Sequence, residues 1–86
     1  MSERVEVFTS EKCYYCGVLK KRLNQLGVKF TEIDIGIKEG LMLATANNIM
    51  HLPTLKVGDK FLVGLPPTQK LIKFLEENNG IDRKTV

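Results

Sequence analysis

The chain has 86 residues, 43% hydrophobic and 27% charged, which suits one small globular domain burying roughly 60% of the surface its unfolded chain exposes. Its formal charge of +3 comes from lysines spread over every segment, so a nucleic-acid-binding stripe is not expected. Two cysteines are too few for a disulfide-stapled secreted scaffold, and no apolar run approaches the ~20 residues of a membrane span. The first residues lack the basic-then-apolar order of a signal peptide. A monomer in a reducing cytoplasm, in contact with neither membrane nor nucleic acid, is the expectation.

Residues 5–8 (Val-Glu-Val-Phe) are short, mostly apolar and β-type, as in a strand covered on both faces. Residues 9–12 form a loop. Over 14–26, Cys16, Leu19, Leu23 and Leu26 recur at helical spacing and make one buried stripe. Lys20, Lys21, Arg22 and Asn24 fall opposite as a solvated face, and Gly27 is placed to end the helix. Residues 28–35 alternate and predict a second strand, parallel to the first because a helix connects them.

A second helix is expected over 38–49, with Met42, Ala46 and Ile49 inward. Residues 55–57 and 60–63 read as a hairpin around Gly58-Asp59. Gly64-Leu65-Pro66-Pro67 then breaks the chain. Thr68 is placed to cap a third helix running to residue 77, with Leu71, Phe74 or Leu75, and Asn78 inward and Gly80 at its end. The domain is expected over 1–80 and a loose tail over 81–86. The order is β-α-β-α-β-β-α: an α/β fold with a mixed four-stranded sheet flanked by three helices.

Cys13 and Cys16, the only cysteines, straddle the first strand-to-helix junction. A helix N-terminus offers unpaired N–H groups and partial positive charge, so a thiolate there is stabilised and becomes a nucleophile. Lys12 beside Cys13 adds to that effect. Cys16 belongs to the buried stripe, where it can attack a mixed disulfide formed on Cys13 and release the partner. The site should lie beyond the carboxyl ends of the parallel strands.

Zinc needs four ligands, and two cysteines with the single His51 cannot supply them within one chain, so no metal is expected. His51 itself reads as a half-exposed loop residue with the capacity to accept a proton. Tyr14 and Tyr15 pack around the thiols and present rings able to flank a bound peptide.

Val7-Phe8-Thr9 leading into Cys13-Tyr14-Tyr15-Cys16, then Ile33-Asp34-Ile35, Leu52-Pro53-Thr54, Val63-Gly64 and the last helix resemble the glutaredoxin branch of the thioredoxin superfamily over residues 5–79. The resemblance implies a thioredoxin-like fold and a dithiol–disulfide oxidoreductase that carries electrons to protein or small-molecule disulfides. It makes Cys13 the nucleophile, Cys16 the resolving thiol and Pro53 a cis-proline facing them. Leu52 would offer its backbone to an extended substrate, and Tyr15 matches the family's tyrosine. Gly64 and Thr68 are what remain of the contacts to glutathione as co-substrate, with Lys12 as the substitute for the family's carboxylate-holding lysine. No bound cofactor is implied.

The departures fall on those contacts. Tyr14 stands where the family usually has proline, and Ser10 where it has a lysine. The usual Gly-Gly turn becomes Gly64-Leu65-Pro66-Pro67. Both glutathione and a thioredoxin-reductase-type flavoenzyme therefore stand as electron donors. Tyr14 also raises an alternative, a dimeric [2Fe–2S] carrier using Cys13, against which Cys16 and the altered glutathione contacts count.

Overall fold

The computed structural model describes residues 3–80; the tail expected over 81–86 lies outside them. Seven elements follow one another: β1 (Val5–Thr9), α1 (Tyr14–Gln25), β2 (Thr31–Asp34), α2 (Lys38–Ala46), β3 (Thr54–Val57), β4 (Lys60–Val63) and α3 (Thr68–Glu77). The sheet order is β2-β1-β3-β4. β1 runs parallel to β2 and antiparallel to β3, and β3 pairs antiparallel with β4. This is the expected thioredoxin-like fold, a mixed four-stranded sheet with three helices.

β1 is an inner strand, and its residues are shared between two cores. Val5 and Val7 join Leu55, Val57 and the helix residues Leu19, Leu23, Leu71 and Leu75 in one buried cluster, so α1 and α3 cover the same face. Phe8 points the other way, toward Ile33 and Ala44 of α2, with Ile35, Ile49 and Leu52 around them. Each fully buried Leu or Phe contributes about 1.5–3 kcal/mol relative to exposure. The α1/α3 face therefore dominates the packing.

Several expectations need correction. α2 ends at Ala46, and Gly40 and Ala44 face inward while Met42 is exposed. The cause is close approach: a Cβ on Gly40 would collide with the backbone carbonyl oxygen of Asp34. Small residues mark that contact, so apolar spacing pointed to the wrong face.

β2 begins at Thr31, and Val28 enters the core from the preceding turn, where its N–H bonds Leu23 O at 3.0 Å. In α3 Pro67 occupies the cap, and Thr68 makes no capping hydrogen bond. Asn79, not Gly80, takes the left-handed conformation past that helix. Of the basic run on α1, only Lys21 is exposed: Lys20 pairs with Glu32, and Arg22 donates to Pro66 O at 2.8 Å.

Strand register positions the site. Thr9 lies opposite Asp34, Phe8 opposite Thr54, and Thr54 opposite Val63. The loops that follow β1, β2 and β4 and the one that precedes β3 therefore gather at one end of the sheet.

Candidate active site

At that end the chain leaves β1, turns through Ser10, Glu11 and Lys12, and enters α1 with Cys13 as its N-cap. The turn is closed by Cys13 N–H donating to Ser10 O at 3.1 Å. Cys13 is extended (φ −91°, ψ 105°), and its sulfur accepts the Cys16 N–H at 3.2 Å. That bond meets one of the helix's unpaired donors with sulfur, where serine or aspartate usually serves.

Cys13 and Cys16 are joined as a disulfide, their Cα atoms 5.3 Å apart. Cys16 is 1% exposed, whereas Cys13 is half-buried. The two sulfurs thus differ in access as the helical stripe predicts. Between them Tyr14 and Tyr15 are exposed, their rings edge-to-face with centroids 5.5 Å apart. Neither ring is spent on the core.

The Leu52–Pro53 bond is cis, as expected. Pro53 is buried, and its carbonyl accepts the Gly64 N–H at 2.8 Å. Gly64 has φ of +85°, a conformation that explains why glycine is kept there. The structure thus brings Pro53 and Gly64 together. Leu52 is half-buried against the α2 cluster. His51 is exposed, and its carbonyl takes a 2.6 Å hydrogen bond from the buried Thr54 hydroxyl.

Lys12 is exposed and lines a concavity of about 370 Å³ with Ser10, Glu11, Asp34, Gly36 and Ile37. Thr68 is exposed at the first position of α3.

One arrangement was invisible in the sequence. The Thr9 hydroxyl, 1% exposed at the end of β1, donates to Glu32 Oε2 at 2.8 Å. The Lys20 ammonium reaches the same oxygen at 2.7 Å. Those two bonds, the lysine's first and the threonine's second, hold the Glu32 carboxyl below the ordinary glutamate value.

The glutaredoxin family profile matches residues 5–62. The chain belongs to the glutaredoxin family. It is 32% identical over 56 residues to an N-acetyl-S-hydroxy-L-cysteine reductase of Bacillus subtilis, a match spanning 63% of this chain and 60% of that protein. It is 30% identical over 81 residues to a probable thioredoxin of Archaeoglobus fulgidus, spanning 88% and 89% of the two.

Among solved structures, the glutaredoxin-like NrdH-redoxin of Escherichia coli superposes with a TM-score of 0.65 at 24% identity, over 79% of this chain and 93% of that one. At that identity the likeness concerns the fold. Family membership and a bonded Cys-X-X-Cys pair at a helix start give this glutaredoxin domain thiol–disulfide oxidoreductase chemistry.

Proposed function

We propose that Cys13 is the attacking thiolate and Cys16 the resolving thiol in a cycle that reduces protein or small-molecule disulfides. The observation that carries this reading is the bonded pair at the start of α1, one sulfur capping the helix and the other sealed beneath it. Cys13 thiolate attacks one sulfur of the substrate disulfide. The substrate S–S bond breaks, and its leaving thiolate takes a proton. Cys16 then loses its proton and attacks the Cys13 sulfur, which breaks the mixed disulfide and releases the second substrate thiol. The substrate gains two electrons and two protons, and the pair is left oxidised.

The cycle runs sulfur to sulfur and uses no bound cofactor. Tyr15 and the Leu52 backbone are the substrate contacts in this reading, because the exposed ring and the residue before Pro53 share the cysteine end of the sheet. Lys12, Gly64 and Thr68 are the contacts left for glutathione.

A thioredoxin-reductase-type flavoenzyme is the donor we favour over glutathione. Ser10 replaces the family's usual lysine, and Thr68 stands four residues past Gly64 behind two prolines. A reducing cytoplasm is the compartment in which such a cycle runs toward reduction. Coupled turnover with each donor separates the two, and faster turnover with glutathione would reverse this assignment.

The cycle is tested with two variants and insulin as substrate. Cys13→Ser abolishes reduction, and Cys16→Ser accumulates a mixed disulfide on Cys13. Activity retained by Cys13→Ser would overturn the proposed roles.

A further inference from the structure

The only ion pair tied to a buried polar group among the described residues is Lys20–Glu32, anchored by Thr9. It lies close behind the cysteines. Glu32 pairs in register with Val7, yet its carboxylate reaches forward to Thr9, the last residue of β1. The next residue, Ser10, holds the Cys13 N–H. Lys20 is one helical turn beyond Cys16 and two beyond Cys13, so its Cα is about 10 Å along the axis from that of Cys13. Helical side chains lean toward the N-terminus, which carries the lysine stem in the direction of the sulfurs.

An unpaired ammonium so placed favours a thiolate at the helix start, and an unpaired carboxylate disfavours one. Paired at 2.7 Å, their opposite charges largely offset each other at longer range. We propose that Glu32 masks the charge of Lys20 and thereby sets how readily Cys13 ionises and how strongly the cysteine pair reduces. Lys20 and Glu32 are positioning residues in this scheme: they touch neither sulfur nor substrate and act through the field at α1. Thr9 fixes the carboxylate from beneath, so the mask is held in place. The other ionisable side chains at this end of the sheet are Glu11 and Lys12 in the loop before Cys13, Asp34 at the end of β2 and His51 before Pro53. Arg22, further along α1, is held by Pro66 O. None of these groups bonds to the pair.

The proposal rests on Cys13 as the ionising thiol, but its test does not require turnover. The pH dependence of Cys13 alkylation by iodoacetamide gives its ionisation. Equilibration with dithiothreitol, whose two thiols become a disulfide as the pair is reduced, gives the potential. Glu32→Gln leaves Lys20 unmasked, and its amide oxygen still accepts from Thr9. The ionisation constant of Cys13 should then rise about threefold at low salt, and at a pH where the reduced pair carries the Cys13 thiolate this raises the potential by about 14 mV for a two-electron couple.

Lys20→Gln leaves Glu32 uncompensated and should move both readings the opposite way by a similar factor. The double variant should return to wild type, and 1 M salt should collapse all the differences. Far-ultraviolet circular dichroism confirms that each variant is folded. Single variants that shift in the same direction would mark a merely structural tie and overturn the proposal, as would single variants that do not shift.

Discussion

The two ends of the sheet are built from the same kinds of element termini and closed in different ways. At the end away from the cysteines, backbone meets backbone. Glu3 N–H bonds Asn79 O at 2.7 Å, Gly80 N–H bonds Leu75 O at 2.7 Å, and Gly58 N–H bonds Arg4 O at 3.3 Å. Gly80 is wedged there against Leu75, Val57 and Val5.

At the cysteine end side-chain ties join backbone bonds such as Gly64 N–H to Pro53 O. A sulfur caps α1, a threonine hydroxyl holds the His51 carbonyl, and an arginine holds the Pro66 carbonyl. Two tyrosine rings stand free in the same region. Side chains can change partners during a reaction, while a backbone seam keeps the frame fixed. Chemistry and stability thus sit at opposite ends of one sheet, and substitutions should separate them.

The largest effect is expected from Cys13→Ser: loss of at least about a thousandfold in disulfide reduction. Its melting temperature should match that of the reduced wild type, because serine caps a helix well. At the other extreme of function, Leu23→Ala removes a fully buried side chain from the α1/α3 core. It should cost about 2–5 kcal/mol in denaturant unfolding while the folded fraction keeps its turnover.

Gly80→Ala probes the seam itself. Its Cβ would come within 2.8 Å of Leu75 Cδ2 and 3.3 Å of Val57 Cγ1, so a loss of about 1–3 kcal/mol is expected, again without loss of turnover per folded molecule. A Gly80→Ala protein that lost activity at full stability would show that the two ends are not separate.

The smallest effect concerns acid. The folded Glu32 carboxyl ionises at a lower pH than an ordinary glutamate, through Lys20 and then Thr9. Its stabilisation is therefore fully present above the ordinary glutamate value and is lost as pH falls through the folded one. The Glu32 side chain is 44% exposed, and solvent screening keeps the contribution below about 1 kcal/mol. Comparing urea midpoints at neutral and acidic pH, Glu32→Gln should lose less stability on acidification than the wild type does. A steeper loss in the variant would contradict the sign.

Much of this architecture is legible in the sequence where signals are local. The Cys16-Leu19-Leu23 stripe gives α1 and its buried face, and Gly58-Asp59 between apolar pairs gives the hairpin. The unlike exposure of Cys13 and Cys16 follows from the same stripe. The cis bond at Pro53 came through family resemblance, since neither composition nor spacing marks it.

The spacing points to the wrong face of α2 because its contact with β2 depends on the bare Cα of Gly40 and the small methyl of Ala44, which leave little hydrophobic signal. Met42 is apolar and still faces solvent. The Thr9–Glu32–Lys20 cluster had no local trace at all, since its bonds join residues 23 and 12 positions apart. Only the folded register of β1 with β2 brings them together.

The sulfur that caps α1 has a consequence for the reaction cycle. Among hydrogen-bond acceptors a thiolate is stronger than a neutral sulfur, because the bond becomes charge-assisted. The Cys16 amide is therefore gripped more tightly when Cys13 is a free thiolate than when it is bonded to sulfur. Every turnover loosens and tightens the first turn of the helix. The exchange rate of that one amide proton is a gauge of redox state built into the backbone.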